Sequence, residues 1–174
     1  MSSAIKPVVA VAGGTGQLGK HITAALLNSQ FRPSFKEIRL LTSNTSSEVA
    51  QKFASQGAKT VGVNYSDEKS ILSAIRGVDV LINSLGGSVK GFPAKNALME
   101  AAVKDGGIKV YLPSEYGIGL YLRGRCADVD HRPKDFVHSE WDKKMDHQNV
   151  ARKSTMKVCA VYVGLFMESR YIVP

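Results

Sequence analysis

The stretch Val9–Ile22, VAVAGGTGQLGKHI, limits the possible folds more than any other part of this chain. An apolar, β-branched run leads into glycines at Gly13, Gly16 and Gly19. An amphipathic stretch follows, with Leu18, Ile22, Ala25 and Leu26 on one helical face. Strand, glycine turn and helix in direct succession open a βαβ unit. In that setting each glycine has an expected task. Gly13 turns the chain at the strand end, Gly16 leaves room for a pyrophosphate against the backbone, and Gly19 lets the helix pack closely on the sheet. The N–H groups of Gln17, Leu18 and Gly19 then point at an anion along the helix dipole. A plain glycine-rich turn is the alternative, and the rest of the chain weighs against it.

Five more strand-like runs follow the first, Pro7–Gly13: Glu37–Ser43, Lys59–Tyr65, Asp79–Gly86, Ile108–Glu115 and Lys157–Gly164. Helix-like runs alternate with them at Gln17–Ser29, Ser47–Gln56, Glu68–Ile75, Pro93–Lys104 and Phe136–Arg152. Right-handed crossovers of this kind build a parallel sheet covered on both faces. The expected fold is α/β, a doubly wound Rossmann sheet of six strands in the order 3-2-1-4-5-6. At 174 residues the chain suffices for one such domain, 1–174, and no linker or repeat divides it. Tyr116–Asp135, rich in charge and glycine, reads as a long surface loop, a length that is often functional in compact domains.

Composition narrows the function classes. The net charge is +8, yet the excess is +4 on each side of Gly86 (9 basic against 5 acidic, then 14 against 10). A spread charge without basic blocks or interleaved aromatics argues against nucleic-acid binding but favours anionic ligands. No apolar run approaches the ~20 residues that span a membrane, and the N-terminus lacks the pattern of a secretory signal. The two cysteines form no framework, so a reduced, cytoplasmic protein is expected. Cys159, inside an apolar run, reads as core; Cys126 reads as a surface thiol in a basic loop. His131, His138 and His147 lack metal-ligand spacing, so surface or loop roles are expected for them and no metal site is expected.

Enzymes that use NAD place a carboxylate after the second strand to hold the ribose hydroxyls. Here that strand ends RLLTSNTSSE, without one, and Thr42, Ser43 and Asn44 offer hydroxyl and amide donors. The expected cofactor is therefore NADP(H). Arg39, on the opposite strand face from Leu40, is not expected to reach it.

Five ordered blocks then carry a resemblance: AGGTGQLG, RLLTSN, VNYSDEKSILSAIRGVDVLINSLGG, LMEAAVKDGGIKVYLPSEYG and VYVGLFMES. From about Val8 to its end the chain resembles the NmrA-like and isoflavone-reductase-like branch of the atypical short-chain dehydrogenases. The resemblance implies NADP(H) held at Gly13, Thr15, Gly16, Gln17, Leu18 and Gly19. It places Ser84, Leu85 and Gly86 of NSLGG along the cofactor, and Ser114, Glu115 and Tyr116 of PSEYG beside the nicotinamide. Two positions depart from the family pattern: Ser43, where a basic residue is frequent, and Asn64, where Asp is frequent.

A reductase also needs a proton donor. The Tyr-x-x-x-Lys spacing of ordinary short-chain dehydrogenases occurs at Tyr65–Lys69, on the wrong segment, and Glu140 stands four residues before Lys144. The resemblance implies instead a lysine on the helix after strand 5. Lys144 fits, on one face with Trp141 and His147, and Lys143 is the register alternative. The expected function is an NADP(H)-dependent oxidoreductase acting on a small aromatic or phenolic substrate. The rival is a non-catalytic cofactor sensor that binds a regulatory protein partner. Members of the family are longer, and their C-terminal segment supplies most of the substrate pocket. The expectation is thus a shortened chain with that part largely absent; the alternative is a complete chain that covers its sixth strand, for example as a homodimer.

Overall fold

The computed structural model describes residues 5–86, 91–116 and 139–163, with side chains on the last segment from Asp142 onward. Six parallel strands form one sheet: β1 (Val8–Ala12), β2 (Glu37–Thr42), β3 (Lys59–Gly62), β4 (Val80–Asn83), β5 (Val110–Leu112) and β6 (Lys157–Val158). Helices α1 (Gly19–Leu27), α2 (Glu48–Ser55), α3 (Glu68–Ile75), α4 (Phe92–Asp105) and α5 (Ser139–Arg152) connect them, with a short 3-10 turn at Arg32–Ser34. The strand order is β3-β2-β1-β4-β5-β6, the order expected from the sequence.

Period-two alternation explains the layers. From β1, Val8, Ala10 and Ala12 enter one cluster with Ile71, Ile75, Leu98, Met99 and Ala102, so α3 and α4 cover that face, and Ala151 brings in α5. Val9 and Val11 face the other way and meet Ile22 and Leu26 of α1. On β2, Leu40 packs with Ala50 and Phe53 of α2. All of β1 is buried, as a central parallel strand must be. The helix ends use local chemistry: Ser47 caps α2, Asp67 caps α3, and Gly106 closes α4 at φ 68°.

Arg39 is not a ligand-binding arm. It is nearly buried and donates to the carbonyls of Ala74 and Arg76, and it pairs with Glu37 at 2.7 Å. At the far end of the sheet, Asp79 accepts the Val8 N–H (2.8 Å) and pairs with Lys109 (2.7 Å).

Two expectations fail at the sixth strand. Its ladder spans two residues rather than eight, and Cys159 is exposed rather than core. The Cys159 N–H still donates to the Tyr111 carbonyl, but among the described residues the strand lies at the sheet edge, where a continuous apolar sequence meets β5 alone. Cys126, His131 and His138 lie outside the described residues. Among the described residues no helix is long and apolar enough to cross a membrane.

Candidate functional site

A cleft of about 360 Å³ opens at the carboxyl ends of β1, β4 and β5. This is where the strand order reverses, the place where doubly wound sheets bind ligands. Its walls are Gly16, Gln17 and Leu18 from the first loop, Ser84, Leu85 and Gly86 after β4, Ser114 and Tyr116 after β5, Lys95 of α4 and Lys144 of α5.

The loop is shaped by glycines packed on backbone. Gly13 adopts φ +73°, and a Cβ there would stand 2.8 Å from the Ser84 carbonyl oxygen. A Cβ at Gly19 would strike the Gly13 carbonyl and Gly14 Cα. The closest packing against β2 belongs to Gly14, which the sequence reading passed over: a Cβ there would overlap Leu40 Cδ1 and Thr23 Oγ1. Gly16 is the open one, exposed at the cleft with only the Gly13 carbonyl within contact, at 3.1 Å. Among the described residues no side chain caps the start of α1. Its first turn therefore offers backbone N–H groups to whatever occupies the cleft, and a helix N-terminus favours an anion.

The opposite wall is tied to its neighbours. Ser84 donates its N–H (2.9 Å) and hydroxyl (2.6 Å) to the Ala12 carbonyl. Ser114 donates its hydroxyl to the Leu85 carbonyl at 3.0 Å. Tyr116 lines the cleft with a buried hydroxyl that has no hydrogen-bond partner among the described residues, and burial pushes its pKa up to about 12. A neutral phenol with a spare donor suits a polar ligand.

Lys144 Nζ lies 3.8 Å from Glu115 Oε2. Glu115 is buried and stands behind Lys144, outside the cleft lining. Burial raises its carboxyl pKa, while Lys144, a hydrogen bond from Gln148, and Lys95 oppose the rise. Lys143 is exposed, its Nζ 5.7 Å from the Phe92 ring centroid. Thr42, Ser43 and Asn44 lie apart from the cleft lining, at the end of β2. There the Thr42 hydroxyl accepts the Asn44 N–H (3.2 Å), and Asn44 Oδ1 accepts the Ser46 N–H (3.0 Å).

Two features escaped the sequence reading. Lys95 is 3% exposed, with Nζ 4.7 Å from the Phe92 centroid. Its signal is a lysine on the apolar stripe Phe92, Lys95, Leu98, Ala102. The second is His147, expected at the surface and in fact buried. Its Nε2 lies 2.8 Å from Tyr111 Oη and its Nδ1 2.8 Å from Asn96 Oδ1. Desolvation, then the charge of Lys95, lowers its pKa to about 4. Among the described residues no group of acidic, histidine or cysteine side chains could hold a metal.

Comparison with known proteins places this geometry. The model of the NmrA-like family matches residues 5–171. An isoflavone reductase homolog A622-like protein of Nicotiana tabacum is 33% identical over 128 residues, covering 72% of this chain and 37% of its own. Pinoresinol reductase 2 of Arabidopsis thaliana is 30% identical over 160 residues, covering 84% of this chain and 45% of its own. The solved structure of AtPrR2 with NADP+ and (+)pinoresinol superposes with a TM-score of 0.75 at 25% identity, over 94% of this chain and 52% of that one. The chain thus spans less than half the length of these two curated relatives.

Proposed function

The chain belongs to the NmrA-like family, and on that premise we propose that it binds NADP(H) in the cleft and acts as an oxidoreductase on a small aromatic or phenolic substrate. The observation that carries this reading is Lys144 entering the cleft beside Ser84–Gly86, Ser114 and Tyr116, backed by Glu115.

The residues fit a dinucleotide. Gly16, Gln17 and Leu18 present backbone to the cleft, and Gly13, Gly14 and Gly19 leave no space for side chains beneath it. The uncapped start of α1 and two lysines supply positive potential for phosphate oxygens. Ser84 and Leu85 form a fixed wall, pinned to β1 and β5, against which a flat ring can lie. At the β2 end the exposed Ser43 and Asn44 offer uncharged donors where a carboxylate would repel a 2′-phosphate, while the buried Thr42 hydroxyl donates to the Asn44 carbonyl at 3.3 Å and braces the turn. When bound, the cofactor supplies a hydride donor or acceptor at its nicotinamide.

The matching proton is the protein's part. Lys144 Nζ carries three protons and can release one to an oxygen that gains charge as hydride arrives. Glu115, buried with its Oε2 3.8 Å from Lys144 Nζ, orients the amine towards the cleft. The relatives' names, pinoresinol reductase and isoflavone reductase homolog, point to phenolic substrates.

Fluorescence titration with NADPH and NADH tests the first half of the proposal, with NADPH expected to bind more tightly. Loss of nicotinamide absorbance with a panel of phenolic, benzylic-ether and carbonyl compounds tests the second. Stoichiometric NADPH binding with no oxidation across the panel would favour a cofactor-sensing role instead.

A further inference from the structure

α5 is a poor candidate for positioning by apolar packing. Its sequence, SEWDKKMDHQNVAR, is mostly polar, and Val150 is 48% exposed. Of its described side chains only His147, Gln148 and Ala151 are buried. Something other than a hydrophobic stripe must set its rotation.

His147 makes two directional contacts, one to α4 and one to β5. Asn96 Oδ1 on α4 can only accept, so His147 Nδ1–H donates to it. Nε2 is then the acceptor, and the Tyr111 hydroxyl on β5 donates to it. The Tyr111 oxygen accepts in turn from Asn83 Nδ2 at 2.9 Å. Asn83 Oδ1 accepts the Leu85 N–H at 3.2 Å. Asn83 and Tyr111 are fully buried, so no water competes for these bonds. The line from Leu85 to Asn96 runs with one polarity throughout, and it requires a neutral imidazole with its proton on Nδ1.

Lys144 sits three residues before His147, on the same helical face. Helices of such a sheet run antiparallel to the strands, so Lys144 lies nearer the carboxyl ends of the strands, where the cleft is. We propose that His147 is a positioning residue for Lys144: through Tyr111 and Asn96 it fixes the rotation of α5, and through Asn83 it ties that rotation to the Leu85 wall of the cleft. The inference rests on the reading of Lys144 as the group that works at the nicotinamide.

The test reads Lys144 itself. Reductive methylation of the whole chain, followed by mass spectrometry, measures the rate at each lysine. A Lys143→Arg background removes the adjacent amine. His147→Phe removes both polar contacts while keeping a ring. Tyr111→Phe removes one of them without touching α5, though it also takes the acceptor from Asn83 Nδ2, so thermal unfolding is read alongside for both variants. Tyr111→Phe should label Lys144 about fivefold faster, the change in population expected from one lost hydrogen bond, and His147→Phe, which loses two, faster still. Lys20, Lys52 and Lys104 should label at the parent rate. His147→Gln, which can still accept from Tyr111, should fall between. An unchanged Lys144 rate in folded Tyr111→Phe, or an equal rise at every lysine, would overturn the proposal. Protection of Lys144 by NADPH in the parent protein tests the underlying reading separately, so the two can fail independently.

Discussion

Gly13→Ala and Gly16→Ala separate the architecture of the loop from its use. At Gly13 the backbone sits at φ +73°, where an L side chain costs about 1 kcal/mol. The new Cβ would stand 2.8 Å from the Ser84 carbonyl oxygen, on a backbone held to Ala12 by two hydrogen bonds and so unable to retreat. Overlap against a rigid neighbour adds about 1–3 kcal/mol. The sum is about 2–4 kcal/mol, or roughly 5–15 °C in Tm for a domain of this size. At Gly16 no positive φ is involved, the residue is exposed, and the nearest atom is a single carbonyl oxygen at 3.1 Å. Gly16→Ala should therefore stay within about 0.5 kcal/mol of the parent. Its methyl group would nonetheless stand where the cofactor's pyrophosphate must approach, and NADPH binding should be lost. Thermal unfolding by circular dichroism and NADPH fluorescence titration on the same samples decide the matter. Equal destabilisation by the two substitutions, or full NADPH affinity in Gly16→Ala, would refute the reasoning.

Lys144→Ala should reduce any turnover by about a hundredfold or more while NADPH affinity falls less, and exposed Lys143→Ala should leave turnover near parental. His147 titrates near 6.5 when unfolded and about 4 when folded. The unfolded chain thus binds the extra proton first, and stability should fall by about 3 kcal/mol between those values as the solution is acidified. His147→Phe should flatten that limb in urea titrations at several pH values. Asp79 is held below its ordinary range by Lys109 and the Val8 N–H, so its contribution is complete above the ordinary carboxylate pKa and lost as pH falls through the depressed value. Asp79→Asn should shrink the further loss of stability below about pH 4, read in the same titrations. Arg39→Leu leaves the Ala74 and Arg76 carbonyls without their donor and should cost about 2–3 kcal/mol in the same assay with NADPH affinity unchanged.

The fold was legible because its signals are local. β1, the glycine turn and α1 announce themselves within fourteen residues, and six alternating strands with right-handed crossovers behind a dinucleotide-type turn point to the strand order. The site was legible only in part. Ser84, Leu85, Ser114, Tyr116 and Lys144 do converge on one cleft, because each follows directly from a strand end or a neighbouring helix. Lys95 was invisible: a lysine is read as solvated until the packing of α4 against its neighbours encloses it. His147 was missed for a related reason. Its burial depends on Tyr111, Asn83 and Asn96, which lie between 36 and 64 positions away, and no periodicity records such a meeting. The sixth strand was read as too long because apolar sequence alone does not distinguish an edge from a centre.

The order β3-β2-β1-β4-β5-β6 bears on how the chain reaches its folded form. As the chain leaves the ribosome, β1, α1, β2, α2 and β3 emerge first and can condense as a half-sheet. In that intermediate β1 is an edge, apolar and unpaired on one side, the kind of strand that recruits foreign partners. The far wall of the cleft does not yet exist, because Ser84 meets Ala12 across 72 positions of chain. A ligand gripped between the glycine loop and that wall can be held only once β4 has docked. Binding therefore registers completion of the sheet, and by mass action ligand in excess over its Kd draws the late-folding half into place.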